Sequence, residues 1–598
     1  MKKIILIEDK LDFNLINEHY SGEEKVVLLN YDFEDELRQR VNEYSTINDY
    51  VDMDDLLDLF LRVFRDLEGW YDESNVKEFL REKNGVHENI GLILNKTVSD
   101  AYFIVINYVY LIDRILEVEK ADGFVCGDIT DRNDPIRLAH VLETLYSQYL
   151  NIEVVRLKED KNKAVVVSKD SLSFKTKLME IASKCSFVRK DMHKRSVLLV
   201  GDFEKLGELV KPLKNHVNLY FLSDAINLKQ YIFLLWNGGK YLSRKTAGAV
   251  KENHDTEGFD VEDFLRSFEN NVDILVKGIN VAPLIAKYLS CKIGEFNEDI
   301  LSEYRRCENV ISRFNRNDKV FLDEEVSINS RIITMLAKKK GLISEVIVHG
   351  YINHSMGFLP SICKRMHVWN QWQKTAIGEF GGDITKVGVS GCLKYGKAKK
   401  IKPEIFAKKK NEKFIILFAP TALNKRRAFN IWYYMDYFNL FFDEVRRLSS
   451  EMPLEVLLKF HPGDSNSSRI RRLIKEKELS DIVVELPTKA NAFDAIKKAD
   501  LLVSMYSTMI VDALYLNRPV VNLGTPQYKI FEDLERFKSG MVSTIEKPED
   551  LHRKICSVMA GSGTAMSESE YSLFAEKFIN ISPVHPAQKI LDQDFLKT

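Results

Sequence analysis

Leu454-Glu-Val-Leu-Leu-Lys-Phe-His-Pro-Gly-Asp464 and Asp500-Leu-Leu-Val-Ser-Met-Tyr-Ser-Thr508 each read as a short apolar strand running straight into a polar tip. Such brief Leu/Val-rich runs suit strands covered on both faces of a parallel sheet. The alternation continues on either side: Phe414-Ile-Ile-Leu-Phe418, a helix over 437–449, a helix over 467–478, Ile482-Val-Val484, helices over 492–498 and 508–516, and Val520-Val-Asn-Leu523. In an open parallel sheet ligands bind outside the carboxyl ends of the strands, so both polar tips are expected to face one crevice.

Working outward, a second alternating run starts near Ser196 with Val197-Leu-Leu-Val200, a helix to about Leu213 and Val217-Asn-Leu-Tyr-Phe-Leu222. Helical patterns fill 261–314, after which Val320-Phe-Leu322, a helix over 330–339 and Val346-Ile-Val348 resume the pattern. A third run opens the chain, with strands at Ile4-Ile-Leu-Ile7 and Val26-Val-Leu-Leu29, a long helical region over 55–119, then strand, helix and strand at 123–128, 135–149 and 152–156. Strands alternating with helices imply parallel sheets, so the fold class is α/β throughout. The expected units are an N-terminal α/β region over 1–190, holding acceptor or serving assembly, and two further α/β units over 191–385 and 386–598. A lysine-dense stretch over 393–413 reads as the solvated linker between the last two.

Composition narrows the function classes. The 598 residues carry 86 Lys+Arg against 88 Asp+Glu, a formal charge of -2, which gives no global electrostatic case for nucleic acid. Seven scattered cysteines without a C-x-x-C pair read as reduced thiols of a cytoplasmic protein. The start, Met1-Lys-Lys-Ile-Ile-Leu-Ile-Glu-Asp9, is too short in its apolar part for a signal peptide, and the longest apolar stretch, 102–111, falls short of the roughly 20 residues of a membrane span. Any membrane contact is therefore expected to be peripheral, at most at the inner face of the membrane. The aromatic-rich piece 102–112 invites a lipid or acceptor reading, although a buried core helix is the plainer one.

The tips supply the chemistry. His461 follows a buried strand, Pro462 fixes the backbone and Gly463 admits a close ligand, so an imidazole can meet a phosphate there, with Lys459 and Arg469 near in sequence. Ser504, Ser507 and Thr508 offer hydroxyls and free N–H groups at a helix start, which suits nucleotide phosphates, while Ser507 as a simple N-cap is the plainer alternative. Trp432 and Tyr433 head an aromatic cluster that either stacks on sugar or packs the core. Lys425, Arg426 and Arg427 are further cations for a leaving phosphate or plain surface charge.

His461-Pro462 with Ser507-Thr508, and with Asp512-Ala-Leu-Tyr-Leu-Asn-Arg-Pro-Val-Val-Asn522 after them, resemble the donor half of the GT-B glycosyltransferase group that contains bacterial polysialyltransferases, capsule Kdo transferases and CDP-glycerol glycerophosphotransferases. Upstream, Val346-Ile-Val-His349-Gly350, Pro360, Met366-His-Val-Trp369 and Val387-Gly-Val-Ser-Gly391 are similar to the end of the amino-terminal half of such enzymes. The resemblance covers about 320–560. It implies a GT-B-like pair of Rossmann-type parallel-sheet domains facing a cleft, with the extra N-terminal α/β region added.

It further implies an inverting, metal-independent glycosyltransferase without cofactor, moving a sugar, an acidic one by the resemblance, from a CMP-linked nucleotide-sugar donor onto a glycan or lipid-linked glycan acceptor of a bacterial-type surface polysaccharide. His461, Pro462, Ser504, Ser507 and Thr508 are its donor-binding candidates, and Asp323, Glu324 and His349 its catalytic ones. The polysialyltransferase acidic motif is followed by Gly, whereas here Glu325-Val326 follows, so Asp323, Glu324 or His349 is open as the base. Three rivals remain: a polyol-phosphate transferase using a CDP-linked donor, a sugar-nucleotide epimerase of similar form, and a catalytically silent binding module.

Overall fold

The computed structural model describes residues 2–51, 90–129, 136–157, 191–243, 261–295, 300–352, 358–395, 413–461, 467–524, 540–545, 548–561, 566–580 and 584–592, apart from 192, 225, 421–427, 489 and 506, together with part of 55–71. Three parallel sheets organise them.

The first sheet takes Lys3–Ile7 (β1), Lys25–Leu28 (β2), Ser45–Thr46 (β3), Gly123–Ile129 (β4) and Asn151–Leu157 (β5) in the order β3-β2-β1-β4-β5. β1 is buried from Ile4 to Ile7 and pairs in parallel with both β2 and β4, as a doubly covered central strand must. The long helix Ile90–Glu119 covers this sheet, and most of Tyr102–Ile112 is buried, so the core reading of that aromatic run holds. No described helix is long and apolar enough to cross a membrane.

The second sheet has seven strands: Ser196–Val200 (β6), Asn218–Ser223 (β7), Gly239–Ser243 (β8), Lys319–Leu322 (β11), Ile343–Ile347 (β12), Arg365–Val368 (β13) and Val387–Val389 (β14), ordered β14-β13-β12-β11-β6-β7-β8. Between β8 and β11 the expected run of helices is broken by a small antiparallel hairpin, Leu275–Val276 (β9) with Ile279–Asn280 (β10). Lys277 and Gly278 take φ of 52° and 77° at its tip, the left-handed pair of a tight hairpin turn, which helical periodicity does not reveal. β14 lies past residue 385 yet belongs to this sheet, so the second unit extends beyond the boundary expected from sequence.

The third sheet orders Phe414–Ala419 (β15), Leu454–Leu458 (β16), Val483–Glu485 (β17), Leu501–Ser504 (β18), Val520–Leu523 (β19) and Val542–Ile545 (β20) as β17-β16-β15-β18-β19-β20. Both later sheets switch direction beside their first strand, β6 or β15, and there the carboxyl ends open a crevice. These are the two Rossmann-type halves of a GT-B-like arrangement, with the first sheet as an additional α/β unit. The last described helix, Pro586–Asp592, returns to the second unit, where Ala587, Ile590 and Leu591 join Val197, Leu199 and Phe221 in one buried cluster.

The first unit touches both others. Lys277 reaches Asp113 and Lys287 reaches His140 on the second unit's side. On the third unit's side Trp432 donates its indole N–H to the Leu29 carbonyl at 3.0 Å and meets Tyr31 edge-on at 5.0 Å, Arg469 pairs with Asp32, and Asn48 donates to Asp436. Of the two readings open for Trp432, packing is the one found, in a buried interface between units, whereas Arg469, noted near His461 in sequence, is taken up by that interface. The Tyr433 side chain lies outside the described residues.

Candidate active site

The second unit builds its wall of the crevice from the ends of β6, β11 and β12. Gly201, just after β6, has φ of +136°, and a Cβ there would stand 2.1 Å from Asp323 Oδ1, so only glycine allows the carboxylate to lie over this turn. Asp323 is buried and accepts from the Asp202 N–H at 3.1 Å, with Lys205 Nζ also 3.1 Å away. Its main-chain carbonyl lies 2.8 Å from His349 Nδ1. A carbonyl only accepts, so Nδ1 carries the proton and the neutral ring keeps its lone pair on Nε2.

His349 keeps an exposed edge but is crowded enough for lost solvation to lower its pKa, and the Lys205 ammonium lowers it further against the opposing pull of Asp323. It is a neutral imidazole at pH 7. The loop behind it is fixed by Trp369, whose indole N–H donates to the Val348 carbonyl at 2.7 Å, and by Gln373, which donates to the Gly350 carbonyl at 2.9 Å.

Glu324 has a different occupation. Its carboxylate accepts from the Val326 and Ser327 N–H groups and from the Ser327 and Ser330 hydroxyls. Burial raises its pKa, but these four bonds together outweigh that and hold it below the usual carboxylate range. It is engaged in capping the helix Ile328–Lys340.

The third unit's wall is made by the ends of β15, β16 and β18. His461 follows Phe460 at the end of β16 and is exposed; Pro462 lies outside the described residues, as do Lys425, Arg426 and Arg427. Ser504 is fully buried, its hydroxyl donating to the Ala419 carbonyl at 2.6 Å, which places it beneath the crevice floor as a tie between β18 and β15. Ser507 and Thr508 are part-exposed, and Ser507 Oγ accepts from the Met509 N–H at 3.2 Å, the plain capping role. A Cβ on Gly350 would lie 3.9 Å from Thr508 Oγ1, so the His349-Gly350 turn and the Ser507-Thr508 turn face each other across the crevice.

Two lysines bear on this wall, Lys459, already noted beside His461 in sequence, and Lys394, which the sequence reading left in a linker. Lys459 is buried just before His461, and lost solvation lowers its pKa, with Glu204 of the facing unit opposing and Lys394 adding to the shift. Lys394, expected in a solvated linker, pairs with buried Asp512 at 2.6 Å, beside the Tyr395 hydroxyl at 2.6 Å from the same carboxylate. Burial of Lys459 was foreshadowed by its place in an apolar strand end; nothing local in the sequence marks Lys394. Among the described residues no group of three or more His, Cys, Asp or Glu could hold a metal ion.

Residues 394–593 match the family model described as CDP-Glycerol:Poly(glycerophosphate) glycerophosphotransferase, about the last third of the chain. No curated protein matches the chain in sequence. Among solved structures, a glycosyltransferase from Rickettsia africae is similar over 68% of this chain and 100% of its own, at 13% identity and TM-score 0.42. A UDP-GlcNAc 2-epimerase from Neisseria meningitidis bound to UDP-GlcNAc is similar over 68% and 100%, at 12% identity and TM-score 0.41. The lipopolysaccharide outer core galactosyltransferase WaaB, in its apo form, is similar over 67% and 100%, at 12% identity and TM-score 0.39.

Proposed function

We propose that the crevice between the second and third units is the active site of a cytidine-nucleotide-dependent transferase, and that it moves a polyol phosphate from a CDP-linked donor to a hydroxyl of a glycan or polymer acceptor. The observation that carries this reading is the match of the donor-side unit, residues 394–593, to the glycerophosphotransferase family model. His349 supports it from the facing wall: a neutral imidazole with Nε2 unprotonated is suited to take the acceptor's proton. As that proton moves to Nε2, the acceptor oxygen forms a bond to the donor's distal phosphorus, and the bond to the bridging oxygen breaks to release CMP. His461, Ser507 and Thr508 line the donor wall, with Lys459 adding positive charge where the leaving phosphate gathers negative charge.

A CMP-linked sugar as donor is the second reading, favoured by Asp323, a buried carboxylate beside the crevice, as base for attack at an anomeric carbon. Thermal stabilisation and turnover separate them. CDP at a hundredfold excess over its Kd should stabilise the protein by about 2.7 kcal/mol, and UDP or GDP at the same concentration by less. Release of CMP from CDP-glycerol or CDP-ribitol with acceptor supports the first reading, release from a CMP-linked sugar the second, and preference for a uridine nucleotide overturns both. A carrier without chemistry would bind nucleotide and release nothing.

A further inference from the structure

The helix Leu228–Trp236, between β7 and β8 at the edge of the second sheet, is turned the wrong way for a water-facing element. Tyr231 and Leu234 pack inward, while Leu228, Ile232, Phe233 and Trp236 stand 48%, 39%, 38% and 78% exposed. Singly scattered exposed apolar residues are ordinary, but four large ones on nine residues of one helix form a continuous ridge, the signature of an interaction surface. From Leu209 to Lys251 the sequence has seven Lys or Arg and one acid, Asp224, in a chain whose formal charge as a whole is -2. Lys211 and Lys214, exposed before β7, and Lys240, at the start of β8, share the end of the sheet where the helix finishes at Trp236.

We infer that this ridge seats the protein on an anionic lipid surface, with Trp236 at the headgroup level and the lysines paired to lipid phosphates. An apolar face ending in tryptophan and rimmed by lysine is the composition of a helix lying in the bilayer interface. A second copy of the chain would find no charge complement in the same patch, since lysine would meet lysine. Along its flank the ridge touches the turn after β6, where Phe233 meets Phe203 edge-on at 6.2 Å, two residues from the Lys205 that pairs with Asp323. A lipid-borne acceptor would thus approach from the side of Asp323 and His349. The docking surface itself stands independently of the catalytic reading.

The test uses the full chain with vesicles of phosphatidylcholine alone or with about one-third phosphatidylglycerol. Co-sedimentation with the anionic vesicles, weakened by salt, is expected. Trp70, Trp369 and Trp432 are buried and Trp372 is half-buried against Tyr351, so quenching of tryptophan fluorescence by lipids brominated on the acyl chain should report chiefly Trp236. Trp236→Ser with Ile232→Ser should weaken partitioning roughly tenfold or more, and each of Lys211→Gln, Lys214→Gln and Lys240→Gln by up to about fivefold on anionic vesicles only. Unchanged melting of these surface variants certifies the fold, and the quenching experiment needs no variant at all. Partitioning that survives the double substitution, absence of quenching, or a dimer that Trp236→Ser dissolves in the absence of lipid overturns the inference.

Discussion

His349 owes its basicity to two neighbours that pull in opposite directions. Lost solvation and then the Lys205 ammonium lower its pKa, while the Asp323 carbonyl fixes its tautomer. His349→Gln, which keeps a donor for that carbonyl but has no basic nitrogen, should cut kcat by about 10²–10⁴ with donor KM little changed. In Lys205→Met the His349 pKa rises, so the acid limb of kcat/KM should move to higher pH; an unmoved limb would assign the base elsewhere. The sign for stability follows from the same shift. The folded state binds its proton less readily than the unfolded chain, so stability contributed here falls as pH drops below the ordinary histidine value of about 6.5. Gly201→Ala would drive a methyl into the Asp323 carboxylate, and a loss of roughly 2 kcal/mol or more in unfolding free energy is expected, together with reduced turnover. That His461, Ser507 and His349 lie at strand ends was legible because apolar runs announce where strands stop. What each hydroxyl or carboxylate does there was not, because partners come from afar: Ser504 is tied to a carbonyl 85 residues earlier, and Glu324 is filled by donors that exist only once its helix forms.

Elements were legible where their pattern was self-sufficient. The third sheet's β15, β16, β18 and β19 follow the apolar runs closely. Short edge strands such as β8 and β20 carry no such run, and the expected continuous helix to Leu213 is instead three short turns over Phe203–Leu206, Gly207–Leu209 and Val210–Leu213. The second sheet also conceals an ionic triad that reads in sequence as ordinary strand ends. Lys319 on β11 and His367 on β13 both meet Glu345 on β12, at 2.8 and 2.6 Å, all three buried. Burial raises the Glu345 pKa, but His367 and Lys319 together outweigh it and hold the group low. Its stabilising share is therefore present above about pH 4.5 and lost as pH falls through the lower folded value. Glu345→Gln would leave a buried ammonium without its counter-charge and should cost about 3–5 kcal/mol, read as a lowered denaturant midpoint. A variant of wild-type stability would mean that Lys319 finds another partner or loses its proton.

At the scale of the whole molecule the three units are not beads on a string. The first unit grips the second through the helix Ile90–Glu119 and the third through Leu29, Tyr31 and Asp32, so it links the two units that wall the crevice. Separation of the walls must therefore strain that grip. Arg469→Ala removes the pair with Asp32, and the radius of gyration measured by small-angle scattering without nucleotide should rise relative to the wild type, with the difference closing when CDP is added. Equal values with and without the substitution would show that the remaining contacts, Trp432 with Leu29 and Tyr31 and Asn48 with Asp436, set the spacing.

The reach of one contact also sets a timetable for synthesis. The Leu29 carbonyl and the Trp432 indole that caps it are 403 residues apart in the chain. At about 5–20 residues per second on the ribosome, the first unit's docking face waits roughly 20–80 s for its cover. The second unit has a comparable wait between Val197, Leu199 and Phe221 and the Ala587, Ile590 and Leu591 that complete its core. A newborn chain of this protein thus carries two unfinished apolar surfaces until Trp432 and then Ala587 to Leu591 have been made, and its yield in the cell should depend on chaperone capacity more than its final stability would indicate.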